Sequence, residues 1–309
     1  PLGTQGNLFG ITGGEGTGKS NYVAAIVAGC ICPVGAEVDT LGVQITANGR
    51  HKAVLLYDTE QSEVQLFKNV SNLLTRAKQP DKPDELKAFC LTGMSRKERL
   101  HAIVQSMDKF YYQYGGIQLV VIDGIADLVK SANDEAESVA VIDELYRLAG
   151  IYNTCILCVL HFVPNGLKLR GHLGSELQRK AATILSIEKD EEPAQSVVKA
   201  LKVRDGSPLD VPLMLFAWDK EAGMHVYKGE KPREEKEKRK ERELVNVARD
   251  IFGRQTRITY IDLCEQLQQV LDIKERTAKS YIRFMRERDI ITKDKANQSF
   301  FVVGSYNLQ

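Results

Sequence analysis

The chain has 309 residues, a formal net charge of +1 and six cysteines. That length can bury a full α/β core and leaves room for a second, smaller domain, and the near-zero charge excludes a protein that is basic all over, so nucleic-acid contact would have to come from local patches. The scattered Cys30, Cys32, Cys90, Cys155, Cys158 and Cys264 exclude a disulfide framework, and no apolar stretch nears the ~20 residues that cross a bilayer, so a cytoplasmic protein without membrane contact is expected.

The chain opens on Pro1 with a strand expected a few residues later, which reads as a piece of a longer protein. From Asn7 to about Trp218, short runs rich in β-branched residues alternate with amphipathic segments. This is the pattern of a mostly parallel sheet flanked by helices. The first strand, Leu8–Thr12, leads into Gly13, Gly14, Glu15, Gly16, Thr17, Gly18, Lys19 and Ser20, and a helix is expected over Lys19–Ala28. Glycines between a strand and a helix let backbone N–H groups and the helix N-terminus converge on phosphate oxygens. The segment from Gly13 to Asn21 is therefore expected to bind ATP, with Lys19 bridging the β- and γ-phosphates and the Ser20 hydroxyl on Mg2+.

The second strand, Ala53–Asp58, runs into Asp58, Thr59 and Glu60. A helix over Glu63–Ala77, a strand over Lys87–Leu91 and a helix over Arg96–Tyr114 follow. The strand Leu119–Ile122 ends in Asp123, which suits a second magnesium anchor; the alternative is a cap for the next turn. Gly124 follows directly, so a water-activating carboxylate must come from another strand. Glu60 is the candidate, acting by position; Asp58 competes with it, and capping by Thr59 or Glu60 is the other reading.

A helix over Glu137–Ala149 precedes the strand Cys155–Leu160, closed by His161, which is either structural or a sensor of the γ-phosphate. Cys155 and Cys158 have metal-like spacing but lie inside a strand expected to be buried, so core packing is the reading adopted. The last strands are Thr183–Glu188, Val197–Val203 and Leu213–Trp218. Lys202 and Arg204 share a face at one strand end, so they are either a solvated terminus or a pair that reaches one anion, acting in trans as an arginine finger if subunits form a ring.

Composition changes at Gly229, where mixed charges run to Glu243. An ATPase domain over 1–228, a charged linker over 229–243 and a second domain over 244–309 are expected. Helices over Leu244–Phe252, Ile258–Leu271 and Lys274–Arg288, then strands Ile290–Lys293 and Ser299–Val303, make a winged helix-turn-helix. Asp272 with Glu275 has capping-box spacing for the third helix. Ala278, Ile282 and Met285 lie on one side of it and Arg276, Lys279, Arg283 and Arg286 on another. Eight basic and four acidic residues between Lys274 and Lys295 give about +4 locally, which points either to duplex DNA in the major groove or to a protein partner.

From Leu2 to about Trp218 the arrangement resembles the RecA/DnaB superfamily, and within it the RepA-type ring ATPases that plasmids and mobile elements use for replication. The resemblance rests on Gly13–Ser20, Leu55–Ser62, Val120–Asp123, Val159–His161 and Lys202–Arg204, in that order. It implies that Glu60 is the catalytic glutamate, His161 the sensor, and Lys202 with Arg204 the trans-acting pair of a homo-oligomer, most simply a hexamer. It further implies that Leu128–Glu135 and Pro164–Gly174, the latter carrying Lys168, Arg170 and His172, face a channel for single-stranded DNA. The implied function is an ATP-driven DNA motor of the ring-helicase class; the alternative is an ATP-gated replication initiator or regulator that binds DNA without processive unwinding.

Overall fold

The computed structural model describes residues 1–161, 171–190, 194–232, 236–253 and 255–306. They fall into two compact units, Pro1–Pro232 and Arg233–Gln309.

In the first unit, β1 (Leu8–Gly13), α1 (Lys19–Ile31), β2 (Ala53–Asp58), α2 (Glu63–Arg76), β3 (Leu86–Cys90), α3 (Arg96–Tyr114), β4 (Ile117–Asp123), α4 (Glu135–Ile151), β5 (Cys155–His161), α5 (Gly171–Lys180), β6 (Thr183–Lys189), β7 (Gln195–Val203), β8 (Leu213–Asp219) and β9 (Met224–Lys231) follow one another. One sheet runs β3-β2-β4-β5-β1-β6-β7-β8-β9. Its first six strands are mutually parallel and the last three antiparallel. This mostly parallel α/β sheet flanked by helices has the form of a RecA-like P-loop domain.

Side chains alternate across the strands, and the sheet therefore feeds two apolar layers. Leu55, Val120, Ile156 and Cys158 face α3, α4 and α5, whereas Ile11, Val54, Val121 and Cys155 face α1 and α2. Cys155 and Cys158 thus stand on opposite faces, and burial pushes the Cys155 thiol up to about 12. Both are free, packed cysteines.

In this unit the strand β9 and the helix α5 were not expected. The strand β9 is an edge whose Lys228, Glu230 and Lys231 break the apolar signal, and edge strands carry charge because one side meets solvent. The helix α5 opens inside the segment expected as the loop Pro164–Gly174, so His172 sits exposed in a first helical turn. Gly171 is left-handed there (φ 64°), and a Cβ on it would collide with the Ala132 carbonyl oxygen.

The second unit contains α6 (Lys236–Phe252), β10 (Ile258–Thr259), α7 (Tyr260–Leu271), α8 (Glu275–Glu287), β11 (Ile291–Lys293) and β12 (Phe300–Val303). Its antiparallel sheet has the order β10-β12-β11, and its core joins Leu244, Ala248, Leu263, Leu267, Ile282 and Phe301. The helix α6 starts at Lys236, within the charged run expected as a linker. Ile258 and Thr259, expected to open a helix, form the strand β10. Asp272 does not cap α8: it ends α7 in the left-handed region (φ 51°), and Lys274 takes the N-cap position without a side-chain bond. A residue that must turn the chain left-handed is not free to offer its carboxylate forward. Among the described residues no helix is long and apolar enough to cross a membrane.

Candidate active site

The cradle is built by packing as much as by glycine content. After β1 ends at Gly13, Gly16 and Gly18 take φ of 66° and 95°. A Cβ at Gly18 would lie 2.8 Å from Cε2 of Phe216 on β8, and one at Gly13 would strike the Ile187 carbonyl oxygen. The Thr17 hydroxyl donates to the Gly14 carbonyl at 3.0 Å and ties the loop to itself. The helix α1 then begins at Lys19 with no side-chain cap, so no side chain claims its first-turn N–H groups, and these favour an anion. Lys19 is only 7% exposed; its ammonium donates to the Gly13 and Gly14 carbonyls at 3.0 and 2.6 Å. Burial lowers its pKa, opposed by Asp123, Glu60 and Glu15. Glu15, Ser20 and Asn21 are exposed at the rim.

The opposite wall is acidic. Asp58 and Asp123 pair in register at the ends of β2 and β4. Burial pushes the Asp123 carboxyl up to about 7, with Asp58 and Glu60 adding to the rise and Lys19 opposing it. The Asp58 carboxylate, 2% exposed, accepts the N–H groups of Glu60 and Gln61 at 3.0 and 2.8 Å. Its carboxylate is therefore engaged in shaping the turn that presents Glu60.

The strand β2, which carries Glu60, does not adjoin β1; β4 and β5 lie between them. The turn after β2 carries Glu60 back across the end of β4. The Thr59 hydroxyl donates to the Asp123 and Gly124 carbonyls at 3.0 and 2.8 Å. Gly124 is left-handed (φ 95°), and a Cβ there would lie 2.6 Å from Glu60 Cγ. The missing carboxylate after Asp123 is thus the space through which Glu60 passes. Glu60 Oε2 then meets Nε2 of His161 at 3.4 Å, and His161 stands opposite Gly13 on β5, next to β1.

Between the walls lies a cleft of about 320 Å³, bounded by residues 15–21 on one side and Glu60, Gln61, Asp123, His161 and His225 on the others. His225 was missed by sequence reasoning because β9 was. The alternation of Met224, Val226 and Lys228 with His225, Tyr227 and Gly229 was the weak signal available.

Lys202 and Arg204 do not join this cleft. Lys202 donates to the carbonyls of Gln178 and Arg179 at 2.6 and 3.0 Å, and Arg204 donates to the Lys180 carbonyl at 2.8 Å and to Asn7 Oδ1 at 3.2 Å. Both hold the C-terminal carbonyls of α5, where cations suit the helix dipole. Asn7 precedes β1 and Gly13 ends it, so the pair stands ~20 Å from the cradle at the rise of a strand. In the segment Leu128–Glu135, Leu128 and Val129 are buried and Asp134 caps α4 by accepting the Glu137 N–H at 3.0 Å. Lys168 and Arg170 lie outside the described residues. On α8, Ala278, Ile282 and Met285 are buried. Lys279 pairs with Glu275 at 2.7 Å and Arg283 with Glu287 at 2.8 Å; Arg276 is exposed and Arg286 lies over the Phe301 ring.

A family model described as an AAA domain matches residues 4–165. This span runs from before β1 to past β5 and includes the cradle, Glu60, Asp123 and His161. A comparison with curated proteins returns no match.

Proposed function

Because the chain belongs to the AAA-domain family of P-loop ATPases, we propose that its first unit hydrolyses ATP by in-line attack of water and couples the cycle to motion on single-stranded DNA, as a motor of the ring-helicase class. The observation that carries the hydrolytic part is the convergence of Lys19, Asp123 and the Glu60–His161 pair on one cleft. The residues fit the ligand: among the described residues the Lys19 ammonium bonds to loop carbonyls, the first turn of α1 lacks a side-chain cap, and the half-buried Asp123 carboxyl stands among other carboxylates with Lys19 opposing them. Lys19 and the loop amides bind the phosphates. Ser20 and Asp123 would hold magnesium, which when bound supplies charge neutralisation to the phosphate oxygens. Glu60 orients the attacking water, and His161 keeps the carboxylate placed and reads the terminal phosphate.

Coupling to DNA rests on the second unit and on Lys202 and Arg204. Three helices with a small antiparallel sheet in this order read as a winged helix, with Arg276, Lys279 and Arg283 of α8 turned from the core and Arg286 exposed over the Phe301 ring. The i,i+4 pairs on α8 are exposed and screened by solvent, so DNA phosphate can displace the glutamates. Lys202 and Arg204 share a face away from their own cradle, so in a hexameric ring they serve a neighbour's nucleotide and leave the α5 carbonyls to solvent. The exposed basic helix α8 also favours a second reading, an ATP-gated switch that binds duplex DNA without unwinding it.

One experiment separates these readings. ATP hydrolysis is measured with and without single-stranded DNA, alongside displacement of a forked duplex, for the wild type and Lys19→Ala. The motor reading expects DNA-stimulated turnover and unwinding that Lys19→Ala abolishes. Nucleotide-dependent duplex binding without displacement selects the switch, and wild-type turnover no higher than that of Lys19→Ala rejects hydrolysis altogether.

A further inference from the structure

The cleft has two unlike ends. Asp123, Glu60 and His161 lie on the β4 and β5 side of the cradle, and β8 and β9 close the other side. If the terminal phosphate faces the acidic end, the sugar and base of the nucleotide leave toward β8 and β9. The inference therefore rests on the ATP reading above.

That end is aromatic. Phe216, fully buried, lies directly beneath Gly18. Trp218 pairs in register with His225 across the β8–β9 hairpin, and because Phe216 and Trp218 are two residues apart they share one face. The His225 ring meets Phe216 edge-on at 5.6 Å and Trp218 at 5.5 Å. Exposure rises along this ladder to 55% at Trp218, so the outermost ring, in contact with the cleft-lining His225, is open to solvent. His225 lines the cleft, and its Nδ1 is buried with no hydrogen-bond partner. The Arg76 guanidinium fixes the strand by donating to the His225 carbonyl. Burial, with Lys189 and Arg76 nearby, lowers the imidazole pKa and keeps the ring neutral, as suits a group that stacks on a base and exchanges one hydrogen bond with it.

We propose that the β8–β9 hairpin is the nucleobase subsite of this cleft, with Trp218 and His225 taking the flat face and edge of the adenine of ATP. The phosphates alone then account for only part of the affinity, and the part contributed by the base passes through two side chains outside the matched family region.

Trp218 is the single tryptophan of the chain, so the wild-type protein carries its own reporter. Calorimetric titration with ATP and with inorganic tripolyphosphate, each with magnesium, is run beside tryptophan emission. Both ligands are expected to bind, but only ATP changes the emission. His225→Phe, which keeps a ring against Phe216 and removes the nitrogens, is expected to weaken ATP about tenfold and leave tripolyphosphate unchanged. Equal affinities for the two ligands, or ATP binding that leaves both Trp218 emission and the His225→Phe affinity unmoved, overturns the subsite while the phosphate cradle stands. Failure of wild-type protein to bind either ligand overturns the cradle and the subsite together. Should His225→Phe lose tripolyphosphate as well, the wild-type emission comparison decides.

Discussion

Gly124→Ala obstructs the route by which the Thr59–Glu60 turn enters the site. The added methyl would crowd the Thr59 hydroxyl first and lie 2.6 Å from Glu60 Cγ and 2.9 Å from Oε1, at a residue with φ of 95°, so the whole Thr59–Glu60 turn must shift. Holding alanine left-handed costs about 1–2 kcal/mol, of which about 0.4–1 kcal/mol is offset by the stiffer unfolded chain. Net destabilisation of roughly 1 kcal/mol is small enough for the fold to survive. The catalytic effect is larger. Relieving the contact to the 3.4 Å of ordinary van der Waals approach moves Glu60 by roughly 0.8 Å, and a misplacement near 1 Å costs on the order of 100-fold in rate. Steady-state hydrolysis should show kcat reduced about 100-fold with KM for ATP little changed, since the phosphate contacts are untouched. Combining Gly124→Ala with Glu60→Gln should add little to the loss from Glu60→Gln alone, because both act through one carboxylate. Wild-type kcat in Gly124→Ala, or strictly additive losses in the pair, would refute the assignment of Glu60.

Asp123 predicts an unusual pH profile for the ligand-free protein. Its raised pKa means that the folded state keeps a proton which the unfolded chain has released, so its contribution is fully present below about pH 4 and is lost as pH rises through about 7. Denaturation followed by Trp218 emission should show up to roughly 4 kcal/mol of loss across this window, flattened in Asp123→Asn; identical profiles for the two proteins count against the burial of this carboxyl. Phe216→Ala, which empties the space under Gly18, should cost about 3–5 kcal/mol of stability and loosen ATP binding; a change under about 1 kcal/mol in a urea titration rules out that support. For the trans finger, mixing inactive Lys19→Ala and Arg204→Ala subunits in equal amounts should restore about a quarter of wild-type turnover, the share of interfaces that combine an intact cradle with an intact finger. Full activity of Arg204→Ala alone disposes of the finger.

The sequence by itself determined the local elements of the first unit. Runs such as Val120–Ile122 and Leu55–Tyr57 are apolar on both faces because each strand is covered on both sides, and β2 and α3 fall where their patterns place them. Glycine spacing followed by Lys19 and Ser20 likewise marked the cradle, because the left-handed backbone at Gly16 and Gly18 favours glycine whatever packs against it. Wherever a side chain's duty depends on a distant neighbour, the sequence was silent or misleading. Asp272 looked like a cap but is the left-handed end of α7, His172 looked like a loop residue but begins α5, and the edge strand β9 was hidden by its solvent-facing charges. That Glu60 reaches the cradle across β4 through the space left by Gly124, and that His225 joins the cleft, were decided only by strand order and close packing. Those are contacts between residues scores of positions apart, which no local periodicity records.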